Sequence, residues 1–156
     1  MVNPGHSILL VGLLMTTSTV AAEPAPAVHI DNAWVRAMPP SQTTTAAYLS
    51  VSNHGDRDLH MTGASSDLTD RVEIHTSREV GGIMRMEEVD KLLLAPEQTV
   101  RLAPGGTHMM LLGLARMPVT GELVRLCVEF ESAGAACTQA EVRRTEPKEK
   151  LHRHAE

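Results

Sequence analysis

Nine short runs of strand-like residues, cut by Gly, Pro, Asn and Asp every ten positions or so, confine this chain to a β architecture. The runs are His29–Ala37, Thr44–Asn53, Leu59–Ser65, Arg71–Thr76, Ile83–Val89, Thr99–Leu102, His108–Leu112, Leu123–Glu131 and Cys137–Arg143. Turn formers separate them, among them Asn53-His54-Gly55-Asp56, Gly81-Gly82, Pro104-Gly105-Gly106 and Pro118-Val119-Thr120-Gly121. No helical periodicity persists beyond two turns. Strands of this length and spacing predict an all-β sandwich or barrel. The 156 residues suit one such domain with a core of its own.

The two ends of the chain read differently. Ile8 to Met15 is an apolar run followed by Thr16-Thr17-Ser18-Thr19 and the small residues Val20-Ala21-Ala22. That order matches a signal peptide cleaved after Ala22, although no Lys or Arg precedes the apolar run. The run is too short to span a bilayer. Three segments are therefore expected: a signal peptide at 1–22, one domain at 23–145 and a polar, disordered tail at 146–156. The mature chain is expected outside the cytoplasm and not inserted in a membrane. No cysteine follows Ala22, so no lipid anchor is expected there.

Composition excludes several functions. Aromatic residues make up 2% of the chain, namely Trp34, Tyr48 and Phe130, too few for base-stacking surfaces. A net charge of −5 offers no basic footprint for nucleic acid. No nucleophile elbow, H-E-x-x-H helix or phosphate loop is present, so an enzyme is not expected.

One donor pattern stands out. His75, Met86, His108 and Met110 form a His-x10-Met-x21-His-x-Met array. On a strand, alternate residues share a face. Val72 and Ile74 therefore oppose Glu73 and His75, while Met109 and Leu111 oppose His108 and Met110. Met86 shares its face with Met84, and the Gly81-Gly82 turn returns that segment towards His75. Thioether sulfur and neutral imidazole are soft to intermediate donors that suit Cu(I) and give Cu(II) few of the hard donors it prefers. They would leave a bound Cu(I) with its single charge and avoid an oxidisable thiolate. Imidazoles must be unprotonated to bind, so affinity is expected to fall below about pH 6. Met109 and Met117 read as core, His54 as turn chemistry, and adjacent His60 and Met61 as facing opposite ways. His152 and His154 in the tail read as solvated residues, with a secondary copper site as the alternative; Cu(II) would be bound more weakly than Cu(I) or at that tail site.

The two cysteines, Cys127 and Cys137, flank a hairpin turn centred near position 132. Opposite registration would allow a cross-strand disulfide, whereas a shift of one residue would put them on opposite faces. Extra thiolate ligation is the alternative.

Between Ala33 and Val142 the chain resembles the periplasmic copper chaperone family known as PCu(A)C. The resemblance rests on AWVRAMPP, AAYLSVSNHGDRD, VEIHTSREVGGIMRMEEV and LAPGGTHMMLLGLARMP. The family's metal motif falls on His75, Met86, His108 and Met110 with both spacings kept. The resemblance implies a cupredoxin-like β-sandwich or Greek-key barrel in the periplasm. It also implies a Cu(I) metallochaperone role, with transfer to the copper-site subunit of cytochrome oxidase or to another copper chaperone. Electron transfer in a cupredoxin-like protein and copper storage or resistance are the competing readings. A blue-copper centre would require a Cys ligand, and neither cysteine lies in a ligand-rich loop.

Overall fold

The computed structural model describes residues 27–146. The expected signal peptide and, apart from Glu146, the expected tail with His152 and His154 lie outside the described residues. Ten strands and no helix occupy the described part: β1 (Val28–Arg36), β2 (Thr45–Asn53), β3 (Leu59–Ser66), β4 (Arg71–Val80), β5 (Ile83–Glu88), β6 (Leu92–Leu94), β7 (Thr99–Leu102), β8 (Thr107–Leu112), β9 (Leu123–Phe130) and β10 (Gly134–Arg143). All nine expected strands are present, with boundaries displaced by a few residues. The tenth, β6, has three residues and pairs with β3 at the sheet edge. So short a run carries no readable alternation. Strand β4 continues four residues past the expected end, through exposed Arg78, Glu79 and Val80. Pairing with β5 holds that extension, not burial.

The strands form one open sheet in the order β5-β4-β8-β2-β1-β10-β9-β3-β6, with β7 pairing β2 beyond the end of β8. Every neighbouring pair is antiparallel except β1 with β10. The strip turns back on itself, so that β3 lies against β4 without pairing to it. One continuous core fills the space between, with Val35, Leu49, Leu102, Met109, Leu111, Val124, Leu126 and Val128 all at 0–1% exposure. Complete burial of such side chains stabilises by about 1.5–3 kcal/mol each, which fixes the face each strand turns inward.

Registry decides the cysteines. Cys127 faces Cys137 directly across the β9–β10 hairpin, and the two form a disulfide. Met61 is buried in the core at 1% exposure, while the side chain of neighbouring His60 turns outward.

Candidate metal centre

The outer face of β5, β4 and β8 gathers the donors. Met109 and Leu111 enter the core opposite Ile74 and Val72, so His108 and Met110 emerge on the other face with Glu73 and His75. His75 stands directly across from His108, with ring centroids 6.3 Å apart. Met110 is paired with Glu73, one same-face step from His108. On the other side, Gly81 and Gly82 close the β4–β5 hairpin with φ of 63° and 79°. A two-residue turn with both φ positive requires glycine-like residues and sets a tight register. That register pairs His75 with Glu88 and Ser77 with Met86.

His75 is the hub of this lattice. His108 lies across from it, and Met110 and Met86 are its diagonal neighbours on either side, a relation with Cα spacing of about 7–8 Å. His108 is 6% exposed, whereas Met86 is 55% exposed at the rim of the edge strand. The array therefore has a sheltered inner part and one open thioether.

Hydrogen bonds orient both imidazoles. His108 Nδ1 lies 2.8 Å from the Gly106 carbonyl oxygen. A carbonyl only accepts, so the proton sits on Nδ1 and Nε2 keeps its lone pair. His75 Nε2 lies 2.9 Å from Glu73 Oε2. Its Nδ1 is buried and has no hydrogen-bond partner, alone in this among buried side-chain N and O atoms of the described residues. Leaving a buried polar atom unsatisfied costs about 1–3 kcal/mol. A bound cation at that lone pair removes the cost. Two imidazoles and two thioethers are a donor set of the kind that suits a soft monovalent metal.

Sequence reasoning missed two parts of this neighbourhood. Glu73, His75 and Glu88 offer ligand atoms all within 4.8 Å of one another, so hard oxygen donors stand nearer to His75 than expected. The Glu73-x-His75 spacing was the available signal, while Glu88 became a neighbour only through hairpin registry. The second part is an aromatic wall beside His108. The Tyr48 ring lies 6.4 Å from His108 and 4.5 Å from Trp34, with the Arg36 guanidinium 5.3 Å from the Tyr48 centroid. Burial pushes the Tyr48 phenol up, against the opposing pull of Arg36. Trp34 and Tyr48 are 2% and 4% exposed, and they shield one flank of His108 from water.

An all-β domain with two opposed, hydrogen-bonded imidazoles flanked by thioethers on one sheet face is the class of protein defined so far. The LpqE-like family model, described as one of lipoproteins, matches residues 28–142. A lipoprotein-named relative, Lxx21020 of Leifsonia xyli subsp. xyli, is 27% identical over 79% of this chain and 74% of its own length. Among solved structures, the copper-bound PCuAC domain from PmoF2 is 27% identical with a TM-score of 0.63, covering 76% of this chain and 94% of that one. The Cu(I) form of DR1885 from Deinococcus radiodurans is 30% identical with a TM-score of 0.62, covering 78% and 80%. The chain belongs to the LpqE-like family of PCuAC-type domains.

Proposed function

We propose that this protein holds Cu(I) through His75, Met86, His108 and Met110 and hands it to the copper centres of cytochrome oxidase in the periplasm. The observation that carries the reading is the pair of opposed imidazoles, each with one nitrogen engaged by a protein acceptor and the other left as a lone pair. Copper in the PmoF2 domain and Cu(I) in DR1885 support the choice of metal. The Cys127–Cys137 bridge and the lipoprotein relatives support an oxidising, extracytoplasmic location.

Chemically, the role is binding followed by ligand exchange, with no covalent bond made or broken in a substrate. Four neutral donors bind Cu(I) less tightly than thiolates would. His108 and His75 hold the inner side, while exposed Met86 is placed to be the first ligand displaced by an incoming donor. A blue-copper role lacks its thiolate, because both cysteines are joined in the β9–β10 hairpin.

Titration of His75→Ala, Met86→Ala, His108→Ala and Met110→Ala against a chromophoric Cu(I) chelator tests the ligand set. Each variant should release Cu(I) at lower chelator concentration with its circular dichroism unchanged. Unchanged curves for all four would overturn the assignment. Mixing the loaded protein with the soluble copper-site domain of an oxidase subunit tests transfer, and copper remaining on the donor would refute it.

A further inference from the structure

We propose that Glu73 is a positioning residue for the copper site, and that it makes His75 bind Cu(I) through Nδ1 while His108 binds through Nε2. The inference rests on the Cu(I) reading above and adds an atom-level assignment to it.

A neutral imidazole carries one proton, and the group facing each nitrogen decides where it resides. An ionised carboxylate is purely an acceptor. Glu73 Oε2, 2.9 Å from His75 Nε2, therefore holds the proton on Nε2. Arg71 Nη2 stands 3.5 Å from Glu73 Oε1 and steadies the carboxylate from its other side. What remains is Nδ1, buried and unpartnered. At His108 the order is reversed, because the Gly106 carbonyl takes the Nδ1 proton. The two rings thus present opposite nitrogens.

The asymmetry moves the metal. Nδ1 is bonded to the ring carbon nearest the backbone, whereas Nε2 is at the far end of the ring. An ion held by His75 Nδ1 and His108 Nε2 would therefore lie nearer the backbone of β4 than that of β8. Strand β4 is the one paired with β5, which carries Met86 opposite Ser77. The Glu73 carboxylate also strengthens the donor by pulling on the opposite N–H, as outer partners of metal-bound histidines do.

The test uses the full chain labelled with 15N-histidine, with long-range proton–nitrogen correlation spectra recorded without metal and after anaerobic Cu(I) loading. Without metal, His75 should carry its proton on Nε2 and His108 on Nδ1. Loading should move His75 Nδ1 and His108 Nε2. Glu73→Leu should lower Cu(I) affinity by about 10–100-fold and let His75 Nε2 compete for the metal. Glu73→Gln keeps an acceptor oxygen, so it should retain Nδ1 ligation with a smaller loss. Cu(I) on His75 Nε2 in the native chain would overturn this inference and leave the ligand set standing. So would Glu73→Leu binding through Nδ1 with native affinity. A loaded spectrum in which neither His75 nitrogen moves would overturn the ligand set itself, and this inference with it.

Discussion

Met109 and Met110 are neighbours in sequence with opposite assignments, which makes their separate replacement by alanine a stringent trial of the fold. Met109 is 0% exposed and belongs to the core with Ile74 across from it. Met109→Ala removes a buried side chain and leaves a cavity, a change that costs about 2–5 kcal/mol. For the 120 residues from 27 to 146, the unfolding entropy near 60 °C is about 250 cal/mol/K. Each kcal/mol then shifts Tm by about 4 °C, so Met109→Ala should melt about 8–20 °C early. At temperatures where it remains folded, its chelator curve should match the native one. Met110 faces outward beside His108 and Glu73, so Met110→Ala should cost about 1 kcal/mol at most while releasing Cu(I) more readily. Scanning calorimetry and Cu(I) competition on the same two samples give the answer. The reverse pattern, with Met110→Ala melting early and Met109→Ala losing copper, would mean that β8 is slipped by one residue, and the site would fall with it.

Two further outcomes follow from features away from the candidate metal site. The Cys127–Cys137 bridge closes a separation of 10 residues. By chain-entropy reasoning its removal in Cys127→Ser/Cys137→Ser should cost about 2.5–3 kcal/mol. Cu(I) affinity should be unchanged, and a parallel loss of affinity would show that the hairpin communicates with the metal. Glu122 accepts hydrogen bonds from Arg116 at 2.6 and 3.0 Å and from the Val119 N–H at 3.0 Å. Arg116 first, then Val119, lowers its carboxyl to about 2. Because the folded value lies below the unfolded one, this contribution is complete above about pH 4.5 and is lost as pH falls towards about 2. The carboxyl carbon shift of Glu122 should stay constant at pH 4, and titration at the ordinary carboxylate value would refute the contact.

Much of the site was legible because strand alternation is a local rule. The inward positions of Val72, Ile74, Met109 and Leu111 could be read from the sequence, and with them the outward positions of His75, His108 and Met110. The Gly81-Gly82 turn announced the return of Met86, and the spacing of Cys127 and Cys137 about position 132 allowed their pairing. Other features depended on partners. Three-residue β6 is held as a strand by β3, the exposed end of β4 by β5, and the parallel contact of β1 with β10 by chain segments a hundred residues apart.

The sequence alone determined the all-β class, the inner and outer faces of the central strands and the chemistry of the His and Met donors. All three depend on residue type and on a two-residue period within single segments. Tertiary structure alone decided that His75 opposes His108 and that Glu88, not Met86, is its direct partner on β5. Those outcomes come from registry between separate strands, and that quantity is not encoded in any one stretch of chain.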